Sequence, residues 1–253
     1  MLKNKETFTI TAALPYANGP IHIGHLAGVY IPADIYARYK RLTDNEVAFI
    51  CGSDEHGVAI SLASKKASIS PKELIDKYDN IIKTSFEEFG ISFDNYSRTS
   101  KRIHHETSLE LFNTLKEKDL FSLQKSKQFY DTKENQFLAD RYISGDCPIC
   151  NAKDAYGDQC EKCGSTLSPE ELKNPKSTIS DSSPILKETK HYYIKLNEFE
   201  EFLRNWITVE NKDTWKANVT GQVKSWLDNG LKPRAVTRDL DWGIPVQVDG
   251  DDG

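Results

Sequence analysis

Hydrophobic and polar positions in the first part of the chain change between strand-like and helix-like spacing. Residues 7–12 and 46–51 are rich in β-branched and apolar side chains, which is the composition of buried strands. Apolar residues recur at helical spacing over residues 26–42, and Pro32 is expected to kink or restart that helix because proline lacks an N–H donor. The order strand, helix, strand predicts a parallel crossover, and so an α/β fold with a parallel sheet.

A second helix is predicted over residues 71–89. Ser70 and Glu73 have the spacing of a capping box, and Gly90 is a typical helix stop. We interpret the apolar stripe of this helix as core. A short third strand is predicted over residues 91–96.

The pattern changes near residue 121, where short β segments replace the strand and helix alternation. Such segments are predicted over residues 121–130, 136–143 and 190–196. Helical stripes follow over residues 199–207 and 218–231. This change indicates that a differently built segment follows the α/β part.

Composition and charge restrict the class of protein. The chain has 253 residues, 38% hydrophobic residues and a mean hydropathy of −0.58, with no apolar run long enough to span a membrane and no signal-like segment, so we expect a cytoplasmic protein. The net charge is −5, so any RNA contact must use a local basic surface. The lysines that might form one alternate with acidic residues, and a solvated face is the favoured interpretation; they are at positions 116, 118, 125, 127, 133 and 187.

Residues 13–25 carry the strongest chemical motif. Turn-forming proline, asparagine and glycine residues follow the first strand, and then come His22, Gly24 and His25. Two histidines three apart at a helix start lie on one side of its first turn, where free N–H groups and the helix dipole favour phosphate. Imidazole N–H groups there can stabilise a phosphoryl group in its transition state, and Gly24 leaves room for a flat ligand. The alternative is that one histidine caps the helix and the other lies on the surface.

The loop after the second strand, residues 52–57, contains Asp54 and His56. A carboxylate at a strand end can pair with the ammonium group of an amino acid, or it can cap the following helix. Position alone leaves both roles of Asp54 open. Cys51 is predicted to be a buried thiol. The adjacent His104 and His105, at the start of a further predicted helix, are interpreted as surface or supporting groups.

Two Cys-x-x-Cys pairs predict a metal site. Each pair forms a tight turn that directs two thiolates to one point, and four thiolates leave no open coordination position for catalysis. Structural zinc, one ion per chain, is therefore favoured over redox or disulfide use. The four ligands are Cys147, Cys150, Cys160 and Cys163.

The sequence His22-Ile23-Gly24-His25 matches a signature of class I aminoacyl-tRNA synthetases, and residues 13–19 resemble the methionine-specific members. This resemblance implies a Rossmann-like catalytic domain whose first half is residues 1–118. It implies a connective-peptide insertion over residues 119–232, with a zinc knuckle at about 144–166, and the start of the second half over residues 233–253.

The resemblance also implies an activity and roles for residues. The family activates L-methionine with ATP, which Mg²⁺ accompanies, and transfers it to tRNA(Met). The resemblance assigns catalysis to His22 and His25, ATP binding to His22, Gly24, His25 and Arg238, and methionine binding to Ala13, Leu14, Tyr16 and Asp54.

The last residues predict a strand over 244–248 and hairpin-turn chemistry over 249–253. A turn without a return strand suggests a truncated chain, and an incomplete catalytic fragment is expected to be inactive alone. Two alternatives remain: a class I synthetase for leucine, isoleucine or valine, and a zinc-containing RNA-binding fragment without activity.

Overall fold

The computed structural model describes residues 5–165 and 167–248, and the chain divides into two compact units. The first unit extends to Leu109 and includes Leu240–Ile244. The second unit contains Glu110–Asp239 and resumes at Pro245. The domain limits given above at residues 118 and 232 come from the resemblance and stay a prediction.

The elements up to residue 117 alternate between strands and helices. They are β1 (Thr7–Thr11), α1 (Ile23–His25), α2 (Ile31–Leu42), β2 (Glu46–Ser53), α3 (Val58–Ala67), α4 (Pro71–Glu88), β3 (Asn95–Arg98) and α5 (Arg102–Glu117).

The three strands form one parallel sheet in the order β1-β2-β3. The predicted α/β class with a parallel sheet is therefore confirmed. Strands β2 and β3 approach closely at Gly52, where a Cβ atom would lie 2.8 Å from the Ser97 carbonyl oxygen. In parallel sheets of this kind, ligands bind at the carboxyl ends of the strands.

The core of the first unit lies between this sheet and its helices. Ile10 and Phe49 from the sheet pack with Tyr30, Ile82 and Phe86 from the helices. The apolar stripe of α4 is therefore core, as predicted, and its capping box forms between Ser70 and Glu73.

Pro32 changes the hydrogen-bond pattern of the helix that it was predicted to kink or restart. A π-helical turn, Leu26–Tyr30, joins α1 to α2, and Pro32 lies in the first turn of α2. A proline ring clashes with the carbonyl group four residues before it, here that of Gly28, and the wider π turn provides space at that point. The helix is thus modified just before Pro32 without being broken.

The third strand begins later than predicted, at Asn95. The Asp94 carboxylate accepts a hydrogen bond of 2.7 Å from the Phe49 amide, and the Asp94 amide donates to the Phe49 carbonyl group. Ladder pairing starts only after this contact. Phe93 instead packs its ring against Phe49 and Phe86.

The second unit contains two antiparallel sheets. One has the strand order β10-β9-β4-β5 and the other β7-β6-β8. The elements are β4 (Phe121–Asp131), β5 (Gln136–Phe137), β6 (Ile143–Asp146), β7 (Ala155–Tyr156), β8 (Lys173–Ser177), β9 (Ile185–Ile194), α6 (Glu200–Asn205), α7 (Ala217–Asp228) and β10 (Arg234–Ala235).

Two predictions for this part were wrong in detail. The β segment predicted over residues 136–143 is divided by a 3₁₀ turn, Asp140–Tyr142. Residues 244–248 have no regular secondary structure, because a strand needs a hydrogen-bonded neighbour and Pro245 lacks an amide donor. The predicted turn over 249–253 lies outside the described residues.

None of the helices within the described ranges has the length and apolar composition needed to cross a bilayer.

Candidate active site and metal centre

His22 and His25 lie together at the start of α1. His22 is the N-cap residue, and its Nδ1 atom accepts a hydrogen bond of 3.1 Å from the Gly24 amide. The His22 amide in turn donates to Nδ1 of His25, also at 3.1 Å. The ring centroids are 3.8 Å apart. The structure thus brings together both residues to which the resemblance assigns catalysis.

These two hydrogen bonds determine the tautomer of both rings. An Nδ1 atom that accepts from an amide carries no proton, so each neutral imidazole holds its proton on Nε2. Both side chains are exposed, and within residues 5–165 and 167–248 neither Nε2 atom has a hydrogen-bond partner. The capping alternative is therefore realised at His22, yet it leaves two N–H donors free for an anion.

Gly24 permits this arrangement. A Cβ atom at Gly24 would lie 2.9 Å from Cε1 and 3.0 Å from Nδ1 of His22, closer than side-chain atoms approach one another. The absence of a side chain at Gly24 is thus required by the ring of His22 in its capping position.

The turn before the histidines is bonded to the loop of Asp54. The Asp54 amide donates to the Pro15 carbonyl group at 2.8 Å, and the Ala17 amide donates to the Asp54 carbonyl group at 2.9 Å. Tyr16 pairs with Asp54 as an isolated parallel bridge. Two segments with predicted site residues therefore lie side by side at the carboxyl end of the sheet.

The predicted methionine-binding residues Ala13, Leu14 and Tyr16 are exposed. Pro15 and Ala17, on either side of Tyr16, are buried. Leu14 and Tyr16 expose 47% and 56% of their surface. The Tyr30 hydroxyl donates to the Ala13 carbonyl group at 2.9 Å and so fixes the chain just after β1. The alternation turns Leu14 and Tyr16 outward, where they can contact a ligand.

Leu14 also lines a cavity of about 320 Å³ at the ends of the strands. Residues 50–52 of β2, Arg98 of β3 and His104 of α5 contribute to the same wall. The cavity is largely apolar and lies at the sheet edge where ligands of α/β proteins bind.

Asp54 does not cap the following helix, which was one of its two possible roles. Gly57, with φ of 94°, precedes α3 as the N-cap residue. The half-buried Asp54 carboxylate accepts only a long hydrogen bond of 3.4 Å from the His56 amide and forms no ion pair among the described residues. Its negative charge is therefore available to a cationic group of a ligand.

Sequence reasoning missed the ion pairs beneath this loop. Glu55 is fully buried, and its Oε1 atom lies 2.7 Å from Nε of Arg98. Arg98 also bonds to Asp76 at 2.7 Å and lies 3.5 Å from Asp79. The only sequence signal was an arginine two residues after a predicted strand, which did not identify its partners. A buried ion pair such as this one is costly to desolvate, so its value lies in fixing geometry.

His56 contacts His105, which the sequence predicts to be a surface or supporting group. The Nε2 atoms of His56 and His105 are 3.3 Å apart, and the ring of Trp242 lies 5.9 Å from that of His56. Burial and the neighbouring His105 lower the pKa of His56. Cys51 is buried, as predicted, and burial raises the pKa of its thiol to about 11.

Arg238 lies in the second unit. Its Nη1 atom donates to the Thr237 carbonyl group at 2.8 Å, and the side chain is exposed. The residues on either side are held by buried His191, whose Nε2 lies 2.9 Å from Asp239 and whose Nδ1 lies 3.2 Å from the Thr237 hydroxyl. The resemblance identified Arg238 as a candidate but not His191, because a histidine within a predicted strand gives no indication of its distant partners.

The four cysteines of the two Cys-x-x-Cys pairs form one cluster. All four Sγ atoms lie within 4.8 Å of one another, and no disulfide is present among the described cysteines. The Asn151 amide bonds to the Cys147 carbonyl group, and the Gly164 amide bonds to the Cys160 carbonyl group, which closes each turn. The two turns thus have the same form.

The spacing of the sulfur atoms fits a tetrahedral metal ion. Thiolates about 2.3 Å from a zinc ion are about 3.8 Å from one another. The Sγ atoms of Cys147 and Cys163 are 3.9 Å apart, and those of Cys150 and Cys160 are 3.7 Å apart. The Ser165 hydroxyl lowers the pKa of the Cys163 thiol to about 6, whereas the other three thiols of the cluster raise the pKa of Cys150 to about 11.

Comparison with known proteins identifies the family to which the chain belongs. A model described as "tRNA synthetases class I (M)" matches residues 8–253. Over all 253 residues the chain is 63% identical to a protein of Flavobacterium johnsoniae and 60% identical to one of Bacteroides fragilis, both named methionine–tRNA ligase. The chain spans 36% and 37% of the length of these two relatives.

A solved structure has the same fold. It is a methionyl-tRNA synthetase of Mycobacterium tuberculosis in complex with methionyl-adenylate, and it is 23% identical with a TM-score of 0.70. The alignment covers 95% of this chain and 42% of that chain.

Proposed function

The chain belongs to the tRNA synthetases class I (M) family, and from that premise we propose that the protein carrying it is a methionine–tRNA ligase. It activates L-methionine with ATP to methionyl-adenylate and transfers the methionyl group to tRNA(Met). The observation that carries this proposal is the pair of free Nε2–H donors on His22 and His25 beside the Asp54 loop. The family match and the two named relatives favour methionine over leucine, isoleucine or valine.

In the proposed mechanism, the methionine carboxylate attacks the α-phosphorus of ATP, and pyrophosphate leaves with the electrons of the broken P–O bond. Negative charge on the phosphoryl oxygens increases in the transition state. The Nε2–H groups of His22 and His25 donate to those oxygens, and the positive end of the α1 dipole adds to this stabilisation. Mg²⁺ bound with the ATP substrate would neutralise charge on its remaining phosphates. Gly24 is exposed, and its backbone beside the His22 ring is proposed to contact the adenine side.

Substrate recognition is assigned to the adjacent loop. The Asp54 carboxylate binds the α-ammonium group of methionine by a charge-assisted hydrogen bond. Ala13, Leu14 and Tyr16 provide aliphatic and aromatic walls for the polarisable thioether. Arg238 is proposed to bind an ATP phosphate or the substrate carboxylate, because its guanidinium group is exposed and its neighbours are fixed.

The four cysteines are proposed to hold one structural zinc ion. Cys147, Cys150, Cys160 and Cys163 complete its coordination, so the ion stabilises the fold of a small segment and takes no part in the reaction. The tRNA substrate is used in translation, and we accordingly propose a cytoplasmic location.

Amino-acid-dependent exchange between ATP and pyrophosphate tests this proposal on the complete protein. We expect L-methionine to support exchange and leucine, isoleucine and valine not to do so. Stimulation by leucine alone would exclude the methionine assignment. Absence of exchange with any amino acid, in a folded protein supplied with Mg²⁺, would exclude the ligase activity.

A further inference from the structure

Trp242 makes a hydrogen bond whose partner is 187 residues away in the sequence. Its indole Nε1 donates to the Glu55 carbonyl oxygen at 2.6 Å. The ring packs against the buried cluster that contains Ala17, Ile60 and Leu74. This packing places the N–H group at the peptide that follows Glu55.

Every polar group of Glu55 is held in a similar way. Its amide donates to the Thr99 hydroxyl at 2.9 Å. Its carboxylate accepts from Arg98, from the Ser53 hydroxyl at 2.8 Å and from the Ser100 hydroxyl. Because the side chain is also fully buried, Glu55 has a single orientation.

These contacts bear on Asp54, the residue that precedes Glu55. The backbone groups of Asp54 are bonded to Pro15 and Ala17, whereas its carboxylate has no ion pair among the described residues. The direction of that carboxylate is therefore set by the backbone on both sides. Pro15 and Ala17 hold the first side, and Glu55 with Trp242 holds the second.

We propose that Trp242 is a positioning residue for methionine: its indole N–H fixes the peptide after Glu55 and so directs the Asp54 carboxylate toward the substrate ammonium group. This inference rests on the proposed function, which assigns the ammonium group to Asp54. Trp242 itself touches no reacting atom in this scheme, and its effect is specific to methionine affinity.

The test is Trp242→Phe in the complete protein, because phenylalanine keeps an aromatic ring and removes the N–H donor. We expect the KM for methionine in exchange to rise about five- to tenfold, as for loss of one hydrogen bond. The KM for ATP and kcat should change less than about twofold. Trp226→Phe is the matched control, since that indole is exposed in α7 of the second unit, and both KM values should be unchanged.

A double-mutant cycle separates positioning from a general structural effect. If Trp242 acts through Asp54, then Trp242→Phe should add little to the rise in methionine KM that Asp54→Asn causes. Additive effects would show that Trp242 does not act through Asp54. An equal rise in both KM values, or an unchanged methionine KM, would also overturn the inference.

Thr99→Val provides a second route if Trp242→Phe does not yield folded protein. This variant removes the hydroxyl that holds the Glu55 amide, and we expect the same methionine-specific rise in KM. An unchanged KM in Thr99→Val would then refute the positioning of Asp54 through Glu55. If the parent protein shows no methionine-dependent exchange, the proposed function itself fails, and that result is distinct from an active parent with an unaffected variant.

Discussion

At the scale of single residues, the two histidines combine two roles that the sequence presented as alternatives. His22 caps the helix through Nδ1, and His25 accepts the His22 amide through its own Nδ1. Capping occupies one nitrogen of each ring and, by fixing the tautomer, leaves an N–H donor on the other. A structural bond thus prepares the atoms to which the proposed chemistry is assigned.

Gly24→Ala tests this arrangement without removing either histidine. The added Cβ would lie 2.9 Å from the His22 ring, which must leave its capping position. Since loss of a preorganised donor at an oxyanion costs about 100-fold or more in rate, we expect kcat for methionine-dependent exchange to fall by about that factor.

Gly28→Ala is the control for this substitution. A Cβ atom at Gly28 would meet nothing within 4 Å, and the position is exposed in the same helical segment. Its kcat should stay within about twofold of the parent, because the added methyl group enters open space and leaves the His22 ring in place. Alanine also favours helices over glycine by about 1 kcal/mol, so the variant should fold. Equal activity of both variants would contradict the assigned role of the His22 ring.

At the scale of elements, the two Cys-x-x-Cys turns illustrate how a short segment is organised. Strands β6, β7 and β8 around them have two to five residues each, too few to bury a large core. In the proposed zinc site, four thiolates that share one ion would replace the missing core, because the free energy of metal binding would then contribute to folding.

Cys160→Ser tests the metal site. We expect about one zinc ion per chain in the parent by elemental analysis, and a loss of that ion in the variant because three thiolates remain. Residues 143–177 should then lose hydrogen-exchange protection while the first unit keeps it.

The control is Cys51→Ala, which removes the one cysteine outside the cluster. It should retain about one zinc ion. A folded parent protein free of metal, or zinc retained in Cys160→Ser, would be inconsistent with the proposed site.

At the scale of the whole molecule, each of the two units contains a buried aspartate whose pKa is lowered. In the first unit, burial favours a raised pKa for Asp34, but hydrogen bonds from Ser92 and Arg38 outweigh it and lower the pKa. In the second unit, burial likewise opposes the ionised form of Asp131, and hydrogen bonds including those from Ser180 and the Lys133 amide lower its pKa below the usual range.

The lowered pKa values determine the direction of the pH dependence. Aspartates in the unfolded chain have a pKa of about 3.9. The stabilisation from Asp34 and Asp131 is therefore complete well above that pH, and it is lost as the pH falls through their lower pKa values in the folded protein. We expect the free energy of unfolding, from urea denaturation, to decrease steeply below about pH 4. Asp34→Asn and Asp131→Asn should each reduce that slope.

Asp44→Asn is the matched control, because Asp44 is exposed and pairs only with Lys5 on the surface among the described residues. Its slope should equal that of the parent. A free energy of unfolding independent of pH below 4 would contradict the roles of the buried carboxylates.

The local signals of the sequence predicted a large part of this molecule. The capping box at Ser70 and Glu73, the strand composition of residues 7–12 and 46–51 and the cysteine spacing all act between near neighbours, and the structure contains each of the corresponding features. The motif of His22, Gly24 and His25 was also readable, because its hydrogen bonds join residues two or three apart.

Tertiary structure alone decided the contacts between distant residues. The sequence did not indicate that Glu55 pairs with Arg98, that Trp242 donates to the Glu55 carbonyl group or that His191 holds Asp239. It also predicted a strand over residues 244–248 where none forms, since strand pairing depends on a partner that local composition does not specify. Near-neighbour chemistry is encoded in spacing, whereas burial and long-range hydrogen bonds exist only once the chain has packed.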